Sequence, residues 1–138
     1  MGLRKYNSDL SEWMGNYSKT QYGEDYKLCV DLTYGMNVYT HNYCKKWVGR
    51  LVNHIRSKGF IVDGFMVTEK SLTNTLHNHI LMYGDFSIKE GSNLITNYWK
   101  KIGRVLVREY EVGGGYNIYI SKFINGTKEN QWEVLSEL

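Results

Sequence analysis

Residues 60–83, FIVDGFMVTEKSLTNTLHNHILMY, decide the fold. Two segments of this stretch, 60–69 and 76–83, are rich in β-branched, aromatic and other apolar residues, which are typical of strands. Between them lies a short polar link, residues 70–75. The pattern predicts a β-hairpin, because two strands joined by so short a link run antiparallel beside each other.

An amphipathic helix is predicted on each side of this hairpin. Before it, an apolar residue recurs every four positions from Tyr43 to Ile55, which favours a helix over residues 41–58. After it, a second apolar stripe predicts a helix over residues 92–102, ended by Gly103. The first strand in chain order is predicted at residues 26–34 and the fourth at residues 104–111.

The element order β-α-β-β-α-β predicts an α+β domain of the ferredoxin-like, split βαβ type. Such a domain has an antiparallel sheet with helices on one face and, here, an open catalytic face. A short helix at about residues 8–17 is expected to precede this core, and a third helix, residues 116–124, to follow three glycines. The chain is interpreted as a single domain, residues 1–138, with its core at about residues 26–125.

The composition permits binding to nucleic acid without demanding it. The net charge is +3, and aromatic residues make up 14% of the chain, so any basic surface must be local. Cys29 and Cys44 form no CxxC pair and are expected to be reduced thiols in an intracellular protein. No secretion signal or membrane span is visible, so the expected location is the cytoplasm, that of the host cell if the protein is viral.

A metal site is predicted on the hairpin. Side chains two residues apart on a strand project from the same face, so His77 and His79 are neighbours. If Glu69 lies opposite His77, the three side chains converge, whereas a slip of one residue would send Glu69 to the other face. Two imidazoles and one carboxylate suit Mn²⁺ or Mg²⁺. The alternative is a pair of polar residues on a solvent-facing strand.

A nucleophile is predicted downstream, where Tyr119 and Lys122 are three residues apart on the expected third helix. These positions share a helix face. A tyrosine with a pKa of about 10 needs a cation nearby before its phenolate can attack. Lys122 and a metal at the histidines would supply this charge. The alternative is an ordinary amphipathic helix with a solvated lysine.

A DNA-binding surface is predicted on the last strand. Arg104 and Arg108 lie four residues apart in the most basic stretch of the chain, so they share a strand face. If this is the face that carries the histidines, the two arginines can contact the phosphate backbone. A solvated edge is the alternative.

Three motifs, in this order, resemble those of the HUH endonuclease superfamily, and within it the rolling-circle replication initiator (Rep) proteins of phages, viruses and plasmids. Residues 28–34, LCVDLTY, resemble its first motif, an apolar strand that ends in Thr-Tyr. Residues 76–81, LHNHIL, resemble the His-hydrophobic-His motif, and residues 115–123, GYNIYISKF, the Tyr-x-x-Lys motif. Residues 99–105, WKKIGRV, are similar to a Trp-x-x-x-Gly stretch of phage and plasmid members.

This resemblance implies a role for each candidate residue. His77 and His79 would bind a divalent metal, Mn²⁺ or Mg²⁺, with Glu69 as third ligand. Tyr119 would attack a DNA phosphate, leaving a 3′-hydroxyl and a 5′-phosphotyrosine link. Lys122 would position the phosphate or neutralise its charge.

The chain departs from the family pattern at two positions. The middle residue of the histidine motif is Asn78 instead of an apolar residue, and a buried amide there would need hydrogen-bond partners. Phe123 stands where two-tyrosine relatives have their second tyrosine, which implies a single-tyrosine enzyme. Tyr116, one turn before Tyr119, is an alternative nucleophile.

The sequence therefore predicts a metal-dependent, single-tyrosine DNA nickase and strand transferase that initiates rolling-circle replication. Its expected partner is single-stranded DNA of an origin. Further candidate partners are a separate helicase and, in a homodimer, a second copy of the chain. Two alternatives stay open. One is a single-tyrosine transposase of the same superfamily, and the other is a non-catalytic module that binds single-stranded nucleic acid.

Overall fold

A computed structural model describes residues 8–71, 75–116 and 132–138, which form an α+β fold. This confirms the predicted fold class. In these ranges the α-helices are α1 (Ser8–Tyr22), α2 (His41–Ser57) and α3 (Ile88–Trp99). The strands are β1 (Leu28–Leu32), β2 (Val62–Lys70), β3 (Leu76–Gly84), β4 (Val105–Glu109) and β5 (Trp132–Val134), followed by a short 3₁₀ helix, Leu135–Glu137.

The described strands form one antiparallel sheet with the order β4-β1-β3-β2-β5. Strand β3 lies between β1 and β2 and is antiparallel to both, so the unit β1-α2-β2 is split. The unit β3-α3-β4 is split in the same way, because β4 pairs with β1. This is the ferredoxin-like arrangement expected from the element order. Strand β5, which extends the sheet beyond β2, was not predicted from the polar tail.

Helices α2 and α3 cover one face of the sheet with a single apolar core. Helix α2 begins after Thr40, whose hydroxyl accepts the backbone N–H of Tyr43, and its bounds agree with the prediction. Helix α3 begins at Ile88, four residues earlier than predicted. The reason is a capping box, in which the side chains of Ser87 and Glu90 each accept the backbone N–H of the other residue.

The second face, expected to be open, is partly covered by α1. Met14 is fully buried there and packs in one cluster with Phe65 and Tyr83. Tyr22 stacks on Tyr83 with ring centroids 4.3 Å apart. Helix α1 therefore shields the end of this face near the start of β2, and the histidines lie toward the other end of the same strands.

Two further predictions concern the third helix and membrane-spanning helices. Of the predicted third helix, residues 116–124, the structure describes only Tyr116. Among the described segments, no helix combines the length and the apolar character needed to cross a membrane.

Candidate metal centre and active site

The hairpin has the register on which the metal prediction depends. Glu69 of β2 lies directly opposite His77 of β3, and Val67 lies opposite His79. Because side chains alternate along a strand, Glu69, His77 and His79 share one face of the sheet. The register therefore meets the condition on which the metal prediction depends, and the metal site itself stays a prediction.

One carboxylate oxygen of Glu69 lies close to both imidazoles. Glu69 Oε1 lies 2.7 Å from His79 Nε2 and 3.9 Å from His77 Nδ1. The side chain of His79 is 8% exposed, whereas that of His77 is 33% exposed. The cluster thus has a fixed inner histidine and an outer histidine that solvent or a substrate can reach.

Asp31 belongs to this cluster and was not among the predicted site residues. It lies on β1 directly opposite His79, and its Oδ1 is 2.7 Å from His79 Nδ1. His79 is therefore held between two carboxylates, Asp31 at one ring nitrogen and Glu69 at the other. The available signal was a lone charge within the apolar strand Leu-Cys-Val-Asp-Leu, but its partner depends on strand pairing.

Two further side chains hold Asp31 in place. The Arg108 guanidinium lies 3.1 Å from Asp31 Oδ2, and the hydroxyl of Tyr116 donates to Asp31 Oδ1 over 2.8 Å. The Arg108 guanidinium also lies 5.7 Å from the centre of the Tyr116 ring. The site accordingly joins β1, β2, β3 and β4 to the beginning of the segment that carries Tyr119.

The charges within the cluster shift two pKa values in opposite directions. Burial acts to lower the pKa of His79, but its hydrogen bonds to Asp31 and Glu69 outweigh burial and raise that pKa above 6.5. Burial acts to raise the pKa of Asp31, but hydrogen bonds from His79 and Tyr116 and the nearby positive charge lower it below 3.8. The cluster therefore favours a cationic centre between two carboxylates.

The donor atoms at this centre suit a divalent cation of the Mn²⁺ type, since they are imidazole nitrogens and a carboxylate oxygen. As arranged, Glu69 and His79 are in direct hydrogen-bond contact. Over the described ranges, no group of three or more His, Cys, Asp or Glu side chains has the arrangement of a metal site. A cation would have to take the place of the proton between Glu69 and His79.

A cleft of about 690 Å³ opens beside Asp31. Cys29, Asp31 and Arg108 form its floor on the sheet, and Glu111, Gly115 and Tyr116 form its wall. Arg108, one of the two predicted DNA contacts, is therefore placed in a cavity next to the histidine cluster. Tyr119 and Lys122, the predicted catalytic residues, lie outside the described residues.

Arg104, the other predicted DNA contact, lines a different cleft. This second cleft, of about 600 Å³, lies between residues 33–35 and residues 100–104. Its walls approach closely because position 103 is glycine: a Cβ there would lie 2.1 Å from the Thr33 carbonyl oxygen. Arg104 directly precedes β4 and Arg108 lies within it, and the structure does not bring them together in one cavity.

The amide of Asn78 has the partners that a buried site requires. Its Oδ1 accepts the Tyr34 hydroxyl over 2.5 Å, and its Nδ2 donates to Thr68 Oγ1 over 3.0 Å. Thr68 in turn contacts His41, whose Nε2 lies 2.8 Å from Glu133 Oε2 on β5. This chain of polar contacts lies on the face of the sheet opposite His77 and His79, and it fixes β3 in position.

Comparison with known proteins returned no match. The chain matched no protein-family model, no curated protein and no solved structure.

Proposed function

We propose that this protein is a metal-dependent, single-tyrosine nickase and strand transferase for single-stranded DNA, of the kind that initiates rolling-circle replication. The observation that carries the proposal is the convergence of Glu69, His77 and His79 on one sheet face, with His79 oriented by Asp31. Such a carboxylate–histidine pair is the usual way in which proteins orient a metal-binding imidazole.

The nucleophile in this proposal is Tyr119. The hydroxyl of Tyr116 reaches Asp31 beside the cluster, and three residues of chain span at most about 11 Å. The length of chain between the two positions therefore permits Tyr119 to approach a phosphate bound near the histidines. Its phenolate oxygen attacks phosphorus, the bond from phosphorus to the 3′-oxygen breaks, and the leaving 3′-oxygen takes up a proton.

The other residues serve this step by their charge. A cation bound by Glu69, His77 and His79 supplies neutralisation of the scissile phosphate when present. Lys122 adds a second positive charge, and Arg108 offers a guanidinium to the strand that enters the cleft. The reaction can also run in reverse, because the released 3′-hydroxyl can attack the phosphotyrosine and rejoin the strand.

A covalent-adduct assay tests the proposal. The protein is incubated with Mn²⁺ and a labelled library of single-stranded oligonucleotides, and the adduct is detected by its retarded migration under denaturing conditions. Adduct formation is expected to require Mn²⁺ or Mg²⁺ and to stop with a chelator. Glu69→Gln and His77→Ala are each expected to lower its rate by about 100-fold or more, because each removes a ligand.

The matched control is Glu12→Gln, which makes the same change on the exposed surface of α1. Its adduct rate should equal that of the wild type. If the oligonucleotides bind but form no adduct with any sequence or metal, the protein is a non-catalytic binding module. An adduct formed only on transposon-end sequences would favour the transposase.

Asp31 gives a second test, which reads metal affinity instead of activity. Asp31→Asn keeps the size of the side chain but removes the charge that orients and supports His79. The affinity for Mn²⁺, measured by calorimetry, is expected to fall by about 10- to 100-fold. Asp9→Asn, the same change on α1, should leave it unaltered, and equal affinities in the two variants would remove Asp31 from the proposed site.

A further inference from the structure

A row of cations and aromatic rings runs along α2 on its side toward α3. Five residues recur there at intervals of three or four positions and so lie on one side of the helix: Tyr43, Lys46, Trp47, Arg50 and His54. At its end, His54 stacks on Tyr98 of α3 with ring centroids 4.7 Å apart. Lys101 lies 5.7 Å from the centre of that Tyr98 ring, so the row continues onto α3. We call it the helix-face row.

The charge of the helix-face row is uncompensated along α2. This helix contains four lysines and arginines and no aspartate or glutamate in its 17 residues, and Lys45, which is not part of the row, pairs with Glu133 of β5. The side chains of Lys46 and Arg50 are exposed. None of the ion pairs between described residues involves Lys46, Arg50 or Lys101. The row therefore presents positive charge to solvent.

The aromatic rings of the row hold its cations in place. The Lys46 ammonium lies 5.8 Å from the centre of the Tyr43 ring, and the Arg50 guanidinium lies 4.9 Å from that of Trp47. Each cation covers one face of its ring, which leaves less aromatic surface for stacking on a base. The row is thus better suited to contact phosphates than to bind unstacked bases.

We propose that the helix-face row is a second DNA-binding surface, which holds duplex DNA by its phosphate backbone. From Tyr43 to His54 the row spans about 16 Å, the length of roughly five phosphates along one strand of a duplex. Because it binds by phosphates alone, it gains most from the high charge density of a duplex. The choice of DNA over RNA rests on the proposed function.

The position of the row allows both surfaces to be used at once. Helix α2 packs against the sheet face that carries Val30 and Ile80, whereas His79 and the 690 Å³ cleft lie on the opposite face. A duplex on α2 and a single strand at the histidines would therefore not compete. The row would hold the duplex that flanks a single-stranded substrate.

The test measures binding of a 20-base-pair blunt duplex by fluorescence anisotropy at several salt concentrations. The double variant Lys46→Ala, Arg50→Ala is compared with Lys19→Ala, Lys89→Ala, which removes two exposed lysines from α1 and α3. Losing two phosphate contacts should make the negative slope of log affinity against log salt shallower by about 1.8. The control double variant should keep the wild-type slope. Circular dichroism verifies that both variants are folded.

Three results would overturn this proposal. The first is an equal slope in the two double variants, and the second is a loss of single-strand affinity as large as the loss of duplex affinity. The third is that the Lys46→Ala, Arg50→Ala variant loses binding to phosphatidylserine vesicles but keeps its binding to the duplex. That result would assign the row to a lipid surface. The assay needs no cleavage, so failure of the nickase proposal would leave its outcome readable.

Discussion

Replacing Tyr119 with phenylalanine is expected to abolish the covalent adduct with single-stranded DNA. The change removes only the attacking oxygen, so the rate of adduct formation should fall on the order of 10⁴-fold or more. Binding of the oligonucleotide should change little, because Phe keeps the ring. Denaturing electrophoresis measures the adduct, and anisotropy measures the binding.

Tyr116 provides the informative comparison, because it lies three residues before Tyr119 and is the alternative nucleophile. Burial and the adjacent Asp31 carboxylate raise the pKa of Tyr116 far above its ordinary value of 10, which makes its phenolate hard to form. Tyr116→Phe should therefore retain the adduct, with a rate lowered at most about tenfold by the loss of one hydrogen bond.

Tyr39→Phe serves as the control, because Tyr39 is 63% exposed. Peptide mapping of the wild-type adduct should find the modified residue at position 119. An adduct that persists in Tyr119→Phe and disappears in Tyr116→Phe would move the nucleophile to Tyr116 and refute this assignment.

The second large effect concerns stability. Asp63 is 2% exposed, and none of the ion pairs between described residues includes it. Its carboxylate instead accepts the hydroxyls of Tyr17 and Tyr22, over 2.8 and 2.5 Å, and the backbone N–H groups of Gly64 and Ser136. It thereby joins α1 and the C-terminal 3₁₀ helix to the start of β2.

Asp63→Ala is expected to lower the free energy of unfolding by about 3–5 kcal/mol, because it leaves several donors without their acceptor. Urea unfolding followed by tryptophan fluorescence measures this loss. Tyr22→Phe removes one of the four hydrogen bonds and should cost about 1–2 kcal/mol. A loss below about 1 kcal/mol in Asp63→Ala would show that this carboxylate does little to hold α1 on the sheet.

The same carboxylate predicts an alkaline limit to stability. Burial, together with the hydrogen bond to Asp63, raises the pKa of Tyr17 from 10 to about 12. A group whose pKa is raised on folding contributes its full stabilisation below the unfolded value, and that contribution is lost as the pH rises from 10 through 12. The decline over this range should be weaker in Asp63→Ala, in which the raising carboxylate is absent.

The parts of the molecule that the sequence predicted are those governed by local periodicity. The four-residue spacing from Tyr43 to Ile55 was enough to place α2, and the apolar run that contains His77 and His79 was enough to place β3. Because the hairpin link is short, few registers between β2 and β3 are available. The register that is present places Glu69 opposite His77.

The parts that were missed depend on contacts between distant segments. Strand β5 has three residues, too few for a periodic pattern, and it exists because Trp132 and Val134 pair with β2. Asp31 acquires its role only when β1 is aligned against β3, which no local signal sets. The early start of α3 is different, because the Ser87 and Glu90 capping pair was legible in the sequence and was overlooked.

Asn78 has a consequence beyond its own hydrogen bonds. With an apolar residue between the two histidines, a shift of β3 by one position would be penalised on one face only, by the burial of both imidazoles. With the Asn78 amide bound to Tyr34 and Thr68, the same shift would break those bonds and press both imidazoles against the apolar core. A misaligned β3 is therefore penalised on both faces, and the register that avoids both penalties is the one that places Glu69 beside His77 and His79.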